Sequence, residues 1–287
     1  MDWTPGQMSN DVEDRRGSSG GGFGGGGLGI VGFLFLVIIS LVTGRNYIGA
    51  YLSGGNAGAP TTQRSGQPVQ QSAEEDRSAH LVSFVLDDVQ NTWTHVLADQ
   101  GVRYRHAHLV LFRDYTPSGC GGYAQSATGP FYCPEDEKVY IDLGFWDDLA
   151  RFGGSTADFA QAYVIAHELG HHVQNILGTE QRVRQFDEQH PSERNHVSVE
   201  VELQADCYAG VWAHSAQQRN MIHSDDIQAG LSAAAAVGDD HLQKMQRGTV
   251  SPESFTHGSS AQRVHWFTTG MQQGTIAACN TFQNGAQ

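Results

Sequence analysis

His167-Glu168-Leu169-Gly170-His171 is an H-E-x-x-H string. On a helix, residues four apart are neighbours along one face, so the two imidazoles can meet one ion at ~2.0–2.1 Å. Glu168, one step round the helix, can reach a water on that ion without ligating it. The spacing therefore points to metal-assisted hydrolysis with Zn2+ as cofactor and Glu168 as general base. The bland alternative is a pair of solvated histidines, which neutral imidazoles tolerate at i and i+4. Ile165, Leu169, Val173 and Ile176 cluster on the opposite face of the same helix, so the two histidines share a direction away from the apolar stripe.

Catalytic zinc takes three protein ligands and keeps a fourth position for solvent or substrate. Downstream, Glu202 and Asp206 stand at i and i+4 beside the apolar Val199, Leu203 and Cys207. Carboxylates placed there need a partner. Glu202 is expected to complete the metal shell, and Asp206 to accept the second N–H of a ligating histidine and so fix its tautomer. Glu200 points to the other side of that helix and is the second choice, while Asp187, His190 and His196 fall in or beside a polar stretch read as loop or helix end. A further electrophile would help to hold an oxyanion. His257 is the candidate, just ahead of a Ser259-x-x-Gln262 capping box, with an ordinary loop histidine as the alternative.

These residues need a scaffold. Apolar positions recur at helical spacing from Ala79 to Gln100, with Gly101 as a stop, and helices are expected over about 156–178, 193–218, 224–246 and 259–273. Residues 108–112 and 139–143 are short β-prone runs bounded by turn residues. The body therefore reads as α+β, helix-dominated with a small sheet. The strand at 139–143 is expected to offer an edge to an extended peptide beside the metal.

The remaining features bound location and partners. Of the 287 residues, 17 are Lys or Arg and 31 Asp or Glu, and residues 1–72 are charge-balanced, so the net −14 sits on 73–287. Nucleic-acid binding through a basic face is not expected. The glycine-rich stretch within 1–27 reads as a disordered segment, 28–48 as a transmembrane anchor, 49–76 as a flexible linker and 77–287 as the hydrolytic domain. Leu28–Thr43 is uncharged and extendable, with a cleaved signal peptide as the alternative reading. Arg15 and Arg16 before it, against Arg45 after it, favour the N-terminus inside. Cys120 and Cys133 bracket a turn-rich loop that a covalent bridge would brace; no Cys-x-x-Cys pair suggests a zinc cluster, and free buried thiols are the alternative. Two disulfides, 120–133 and 207–279, would place the body outside the cytoplasm, as a single-pass protein of the cell membrane facing the periplasm or cell surface.

His167-Glu168-Leu169-Gly170-His171-His172-Val173-Gln174, followed by Glu202-Leu203-Gln204-Ala205-Asp206-Cys207-Tyr208-Ala209-Gly210, resembles the bacterial neutral zinc metallopeptidase family, a membrane-anchored, gluzincin-like group. The likeness extends to Gly129–Pro134, Val139–Asp142, Gly238-Asp239-Asp240, Phe255–Gly258 and Glu13-Asp14-Arg15-Arg16. The Glu202-x-x-Ala205-Asp206 string is also similar to that of prenyl-protease-like and heat-shock membrane zincins, in which the Glu ligates zinc and the Asp supports a histidine. The resemblance implies a zincin-like fold, a Zn2+ cofactor and a peptide or protein substrate cleaved as by a metalloendopeptidase. Two rival functions share the motif: a membrane-tethered zinc-binding assembly factor without peptidase activity, and an amidase of cell-wall peptides. An intact Glu168 argues against the first, because a structural zinc site has no use for a base.

Overall fold

The computed structural model describes residues 1–17 and 72–282. Eight helices and two small sheets are found among them. The first helix, α1 (Ala73–Ala98), opens on a capping box in which Ser72 and Glu75 bond each other's backbone N–H, with Glu74, Glu75 and Asp76 at the positive end of its dipole. Its buried stripe, Leu81, Val85, Val89 and Trp93 among others, follows the helical period of the sequence and forms one wall of the core.

The main sheet has the order β1 (Val12–Asp14), β2 (His108–Phe112), β6 (Lys138–Asp142), β5 (Phe131–Cys133). β1 and β6 flank β2 in parallel, and β5 runs antiparallel to β6. Side chains alternate across this sheet as the pleat requires. Leu109, Leu111, Val139 and Ile141 face the main core, while Val110, Phe112 and Tyr140 face a smaller one shared with Ala124 and Cys133. A hairpin of β3 (Tyr115–Pro117) and β4 (Tyr123–Gln125) precedes β5, and the Cys120–Cys133 disulfide ties its turn to the end of β5. The second disulfide, Cys207–Cys279, is also formed, and no cysteine is free.

After the sheet come α2 (Phe145–Arg151), α3 (Asp158–Ile176), α4 (Thr179–Gln189), α5 (Arg194–Gln218), α6 (Ser224–Ala236), α7 (Asp239–Arg247) and α8 (Ser260–Gln273). The helix-dominated α+β body expected from the sequence is therefore present. α2 and α4 are additions to that expectation, and the single helix expected over 224–246 breaks at Val237–Gly238. The break has a steric cause: a Cβ on Gly238 would lie 2.3 Å from the Ser260 nitrogen, so only glycine lets the chain pass the start of α8.

Two expectations require correction. Residues 1–17, assigned to a disordered segment, belong to the body: β1 pairs with β2, Arg15 N–H donates to the Leu111 carbonyl, Asp2 N–H to the Met221 carbonyl, and Trp3 Nε1 to Asp158. The Met1 amino group pairs with Asp226, and Arg16 is buried against Asp14. Charged residues such as Glu13 and Asp14 give no apolar alternation, which is why this strand does not register as one in the sequence.

The transmembrane helix is the second. Residues 28–48 lie outside the described residues, and among the described residues no helix is long and apolar enough to cross a membrane. The expected transmembrane helix is therefore not part of the described fold. Of the 49–76 linker, residues 73–76 form the first turn of α1 and the remainder up to 71 lies outside the described residues.

Candidate metal centre and active site

α3 carries the H-E-x-x-H string, and almost its whole circumference is buried. The apolar Ile165, Leu169 and Val173 pack into the main core as expected. The opposite face is not solvated, because α5 covers it. That approach depends on Gly170: a Cβ there would stand 2.9 Å from the Ala205 carbonyl oxygen. With the backbones this close, Glu202 and Asp206 fall directly beside His167 and His171.

His167, His171 and Glu202 each offer a ligand atom, and those atoms lie within 4.8 Å of one another. His167 Nε2 is 3.2 Å from Glu202 Oε2, and His171 Nε2 is 3.5 Å from Glu202 Oε1. Donors held at ~2.0–2.1 Å around a tetrahedral ion sit about 3.3–3.4 Å apart, and each imidazole lies near that distance from one Glu202 oxygen, so the group could hold a zinc ion. Both histidines present the correct nitrogen. Asp206 Oδ1 accepts from His167 Nδ1–H at 2.9 Å. Gln174 Oε1 accepts from His171 Nδ1–H at 2.8 Å, and the orientation of that amide is fixed because its nitrogen must donate to the Val201 carbonyl and to Gln204. Each Nε2 lone pair is thereby left to the metal.

The electrostatics also favour a cation. Burial would raise the Glu202 and Asp206 carboxyls, but His171 and His167 hold Glu202 well below its usual range, and Arg263 and His167 hold Asp206 down to about 2. Burial would lower His167, yet Asp206 and Glu202 outweigh it and push its proton affinity up to about 10. A site that binds a proton this avidly carries excess negative charge. Glu168 is different. Burial dominates there and raises it above the ordinary carboxylate value, despite the nearby histidines.

His257 lies on the α7–α8 loop, close enough to Glu202 for each to stabilise the charged form of the other. Asp239, the first residue of α7, holds that loop. Its Oδ2 accepts the backbone N–H of Thr256, His257 and Gly258, and its Oδ1 is 3.4 Å from His257 Nδ1. Burial lowers the His257 pKa, but the Asp239 hydrogen bond and the Glu202 charge raise it overall. The capping box of Ser259 and Gln262 is present and opens α8.

The other candidates fall elsewhere. Glu200 is buried 3.3 Å from His196, and Asp187 pairs with Arg194. The strand at 139–143 cannot accept a peptide, because β6 is flanked by both β2 and β5. The sheet edge on the α3 side is β5. It is fastened to α3 by His172, whose Nδ1 accepts from the Tyr132 hydroxyl while its Nε2–H donates to the Arg105 carbonyl, and by Asn175, which donates to the same hydroxyl.

Sequence reasoning includes Gln174 and Asp239 only within the motifs of the resemblance, assigns neither a role, and does not single out Tyr163 or Arg263. The last had a signal: Arg263 stands four residues before Phe267 and seven before Gly270, on the stripe of α8 that packs inward.

Residues 1–282 match the sequence profile of the family described as "Putative neutral zinc metallopeptidase". The chain is 46% identical over 288 residues to the uncharacterized protein YpfJ of Escherichia coli K12, a match that covers 98% of this chain and 99% of that one. It is 45% identical over 190 residues to uncharacterized proteins of Mycobacterium bovis, Mb2605, and Mycobacterium tuberculosis, Rv2575, covering 62% of this chain and 63% of each of them. No solved structure matches the chain.

Proposed function

Because the chain belongs to the neutral zinc metallopeptidase family, we propose that it is an active endopeptidase that uses Glu168 as general base. The observation that carries this reading is the placement of buried Glu168 beside a three-donor cluster, His167, His171 and Glu202, whose separations suit Zn2+. Three donors suit a catalytic metal better than a structural one, which closes its shell with a fourth Cys or His.

When bound there, Zn2+ supplies Lewis acidity, lowering the pKa of water toward ~7 and polarising the scissile carbonyl. Glu168 takes the proton of the attacking water and returns it to the leaving amine. Its raised pKa brings it nearer to the working pH, which favours both transfers. His257, turned by Asp239 and favoured as imidazolium, keeps a proton on Nε2 for the developing oxyanion. An extended substrate adds a strand to β5 (Phe131–Cys133), the edge that replaces residues 139–143 in this role. Both disulfides support a working place outside the cytoplasm.

The test is incubation of the full chain with a peptide library, with and without a zinc chelator, and identification of cut bonds by mass spectrometry. Cleavage abolished by the chelator and by Glu168→Gln, with zinc content unchanged in that variant, is the expected result. Cleavage by Glu168→Gln at the wild-type rate would remove the general-base assignment.

A further inference from the structure

Asp206 is completely buried, and three side chains converge on it with four donor atoms. Oδ1 accepts from His167 Nδ1–H, from the Tyr163 hydroxyl and from Arg263 Nη2 at 2.9 Å; Oδ2 accepts from Arg263 Nε at 2.8 Å. Arg263 comes from α8, far along the chain, and is itself only 4% exposed. We propose that Arg263 is a positioning residue of the metal centre: its guanidinium grips both oxygens of Asp206 and so fixes the plane in which Asp206 holds His167. The inference rests on the metal-site reading above and adds to it the residue that sets the geometry of one ligand.

The argument is geometric. A carboxylate held by a single donor can rotate about its Cβ–Cγ bond, and His167 would rotate with it. Two parallel N–H···O bonds from one planar guanidinium remove that freedom, which a lysine ammonium cannot do. Arg263 is anchored in turn. Nη1 donates to the Val237 carbonyl at the α6–α7 break, and Nη2 reaches the Tyr163 oxygen at 3.2 Å. Arg263 Nη2 also lies 3.4 Å from His167 Nδ1, but both nitrogens carry protons once Asp206 has accepted at 2.9 Å, so this contact adds no bond and leaves the Nδ1–H tautomer in place.

The fold has been arranged to bring this arginine in. α8 crosses α5 at backbone contact: a Cβ on Gly210 would lie 2.1 Å from the Phe267 carbonyl oxygen, and one on Gly270 would lie 1.9 Å from that of Cys207. Cys207, the residue after Asp206, is tied to Cys279 just beyond α8. The helix pair is thus held at both the crossing and the covalent link, with Asp206 and Arg263 between them.

The experiment compares the full-length wild type with Arg263→Lys, which keeps the charge and loses the fork, and with Arg263→Gln, which is neutral and leaves Asp206 one N–H in case the lysine variant does not fold. Zinc affinity is measured by chelator competition, ligand geometry by the visible spectrum of the Co2+-substituted protein, and folding by circular dichroism. A folded arginine variant should bind zinc about 10- to 100-fold more weakly and show an altered Co2+ spectrum. Tyr163→Phe, which removes one donor to Oδ1 but keeps both guanidinium bonds to Asp206, should lose less zinc affinity than either arginine variant. Wild-type affinity and spectrum in a folded Arg263 variant, or an equal loss in Tyr163→Phe, overturns the inference. A wild type that binds no zinc overturns instead the metal-site reading beneath it.

Discussion

Gly170 lies against Ala205 so closely that a Cβ on the glycine would be 2.9 Å from the alanine carbonyl oxygen and 3.1 Å from its Cα. The fourth position of the H-E-x-x-H string is therefore the point at which α5 is admitted to α3. In Gly170→Ala the gain in helix propensity, about 1 kcal/mol, is set against overpacking at a backbone contact that costs about 1–3 kcal/mol. The variant should melt lower than wild type and bind zinc at least about tenfold more weakly, because Glu202 is displaced with its helix. Thermal unfolding and chelator competition on the same sample check both; a variant as stable and as tightly metallated as wild type contradicts the role given to this contact.

The pH–rate profile should show the burial of Glu168. A general base must be ionised, so kcat/KM falls as pH drops through its pKa, and that pKa is raised. The acid limb should accordingly lie above the ordinary glutamate value of about 4.3. Zinc content followed across the same range separates this limb from metal loss. A limb at or below the ordinary value, with zinc retained, would rule out Glu168 as the titrating base.

His257→Ala should retain zinc and lose about 10²–10³ in kcat, the size of effect seen when one oxyanion donor is removed. Asp239→Asn should follow in the same direction, because it loosens the loop carrying the imidazole. An unchanged kcat in His257→Ala would return this histidine to the ordinary loop class.

The Cys207–Cys279 disulfide closes a loop 72 residues long in sequence. Its loss in a Cys207→Ser/Cys279→Ser chain should cost about 2–5 kcal/mol, read as a lowered melting temperature. Because Cys207 adjoins Asp206, zinc affinity should fall as well. Breaking Cys120–Cys133, which joins neither α5 nor α8, should lower zinc affinity less than breaking Cys207–Cys279.

Residues 1–17 contribute a strand, several partly buried apolar side chains and a buried arginine to the body. Removal of residues 2–17 should lower stability by about 3 kcal/mol or more, since burying one large apolar side chain contributes about 1.5–3 kcal/mol. For a domain of this size that is roughly 6–12 °C in Tm. Calorimetry on the truncated chain decides it, and an unaltered Tm would show the segment to be dispensable.

The metal ligands are legible in the sequence because each pair is local. His167 and His171 share a turn of helix, as do Glu202 and Asp206, and the chemistry of each pair can be read without knowing the fold. What lies beyond reach depends on distant contacts. Arg263 stands on the inward stripe of α8, but which residue it meets is set by the two glycines that let α5 and α8 touch, and helical spacing does not name that partner. Nothing in residues 139–143 indicates that both their edges are occupied. Residues 179–189 are polar enough to pass for a loop, yet they form α4. The apolar run at 28–43 suggests an anchor on local grounds but lies outside the described residues, among which no helix is long and apolar enough to cross a membrane.

The pairing of Val12–Asp14 with Leu109–Leu111 bears on the birth of the molecule. β1 has no partner until β2 has been made, roughly a hundred residues later, and closing so long a loop carries an entropic penalty that short-range contacts do not. Val12–Asp14 must therefore wait, unpaired, until the strand that ends at Phe112 has been made before it can join the sheet. Protection of residues 12–14 from amide exchange should accordingly develop later than that of helix pairs formed by contacts closer in sequence.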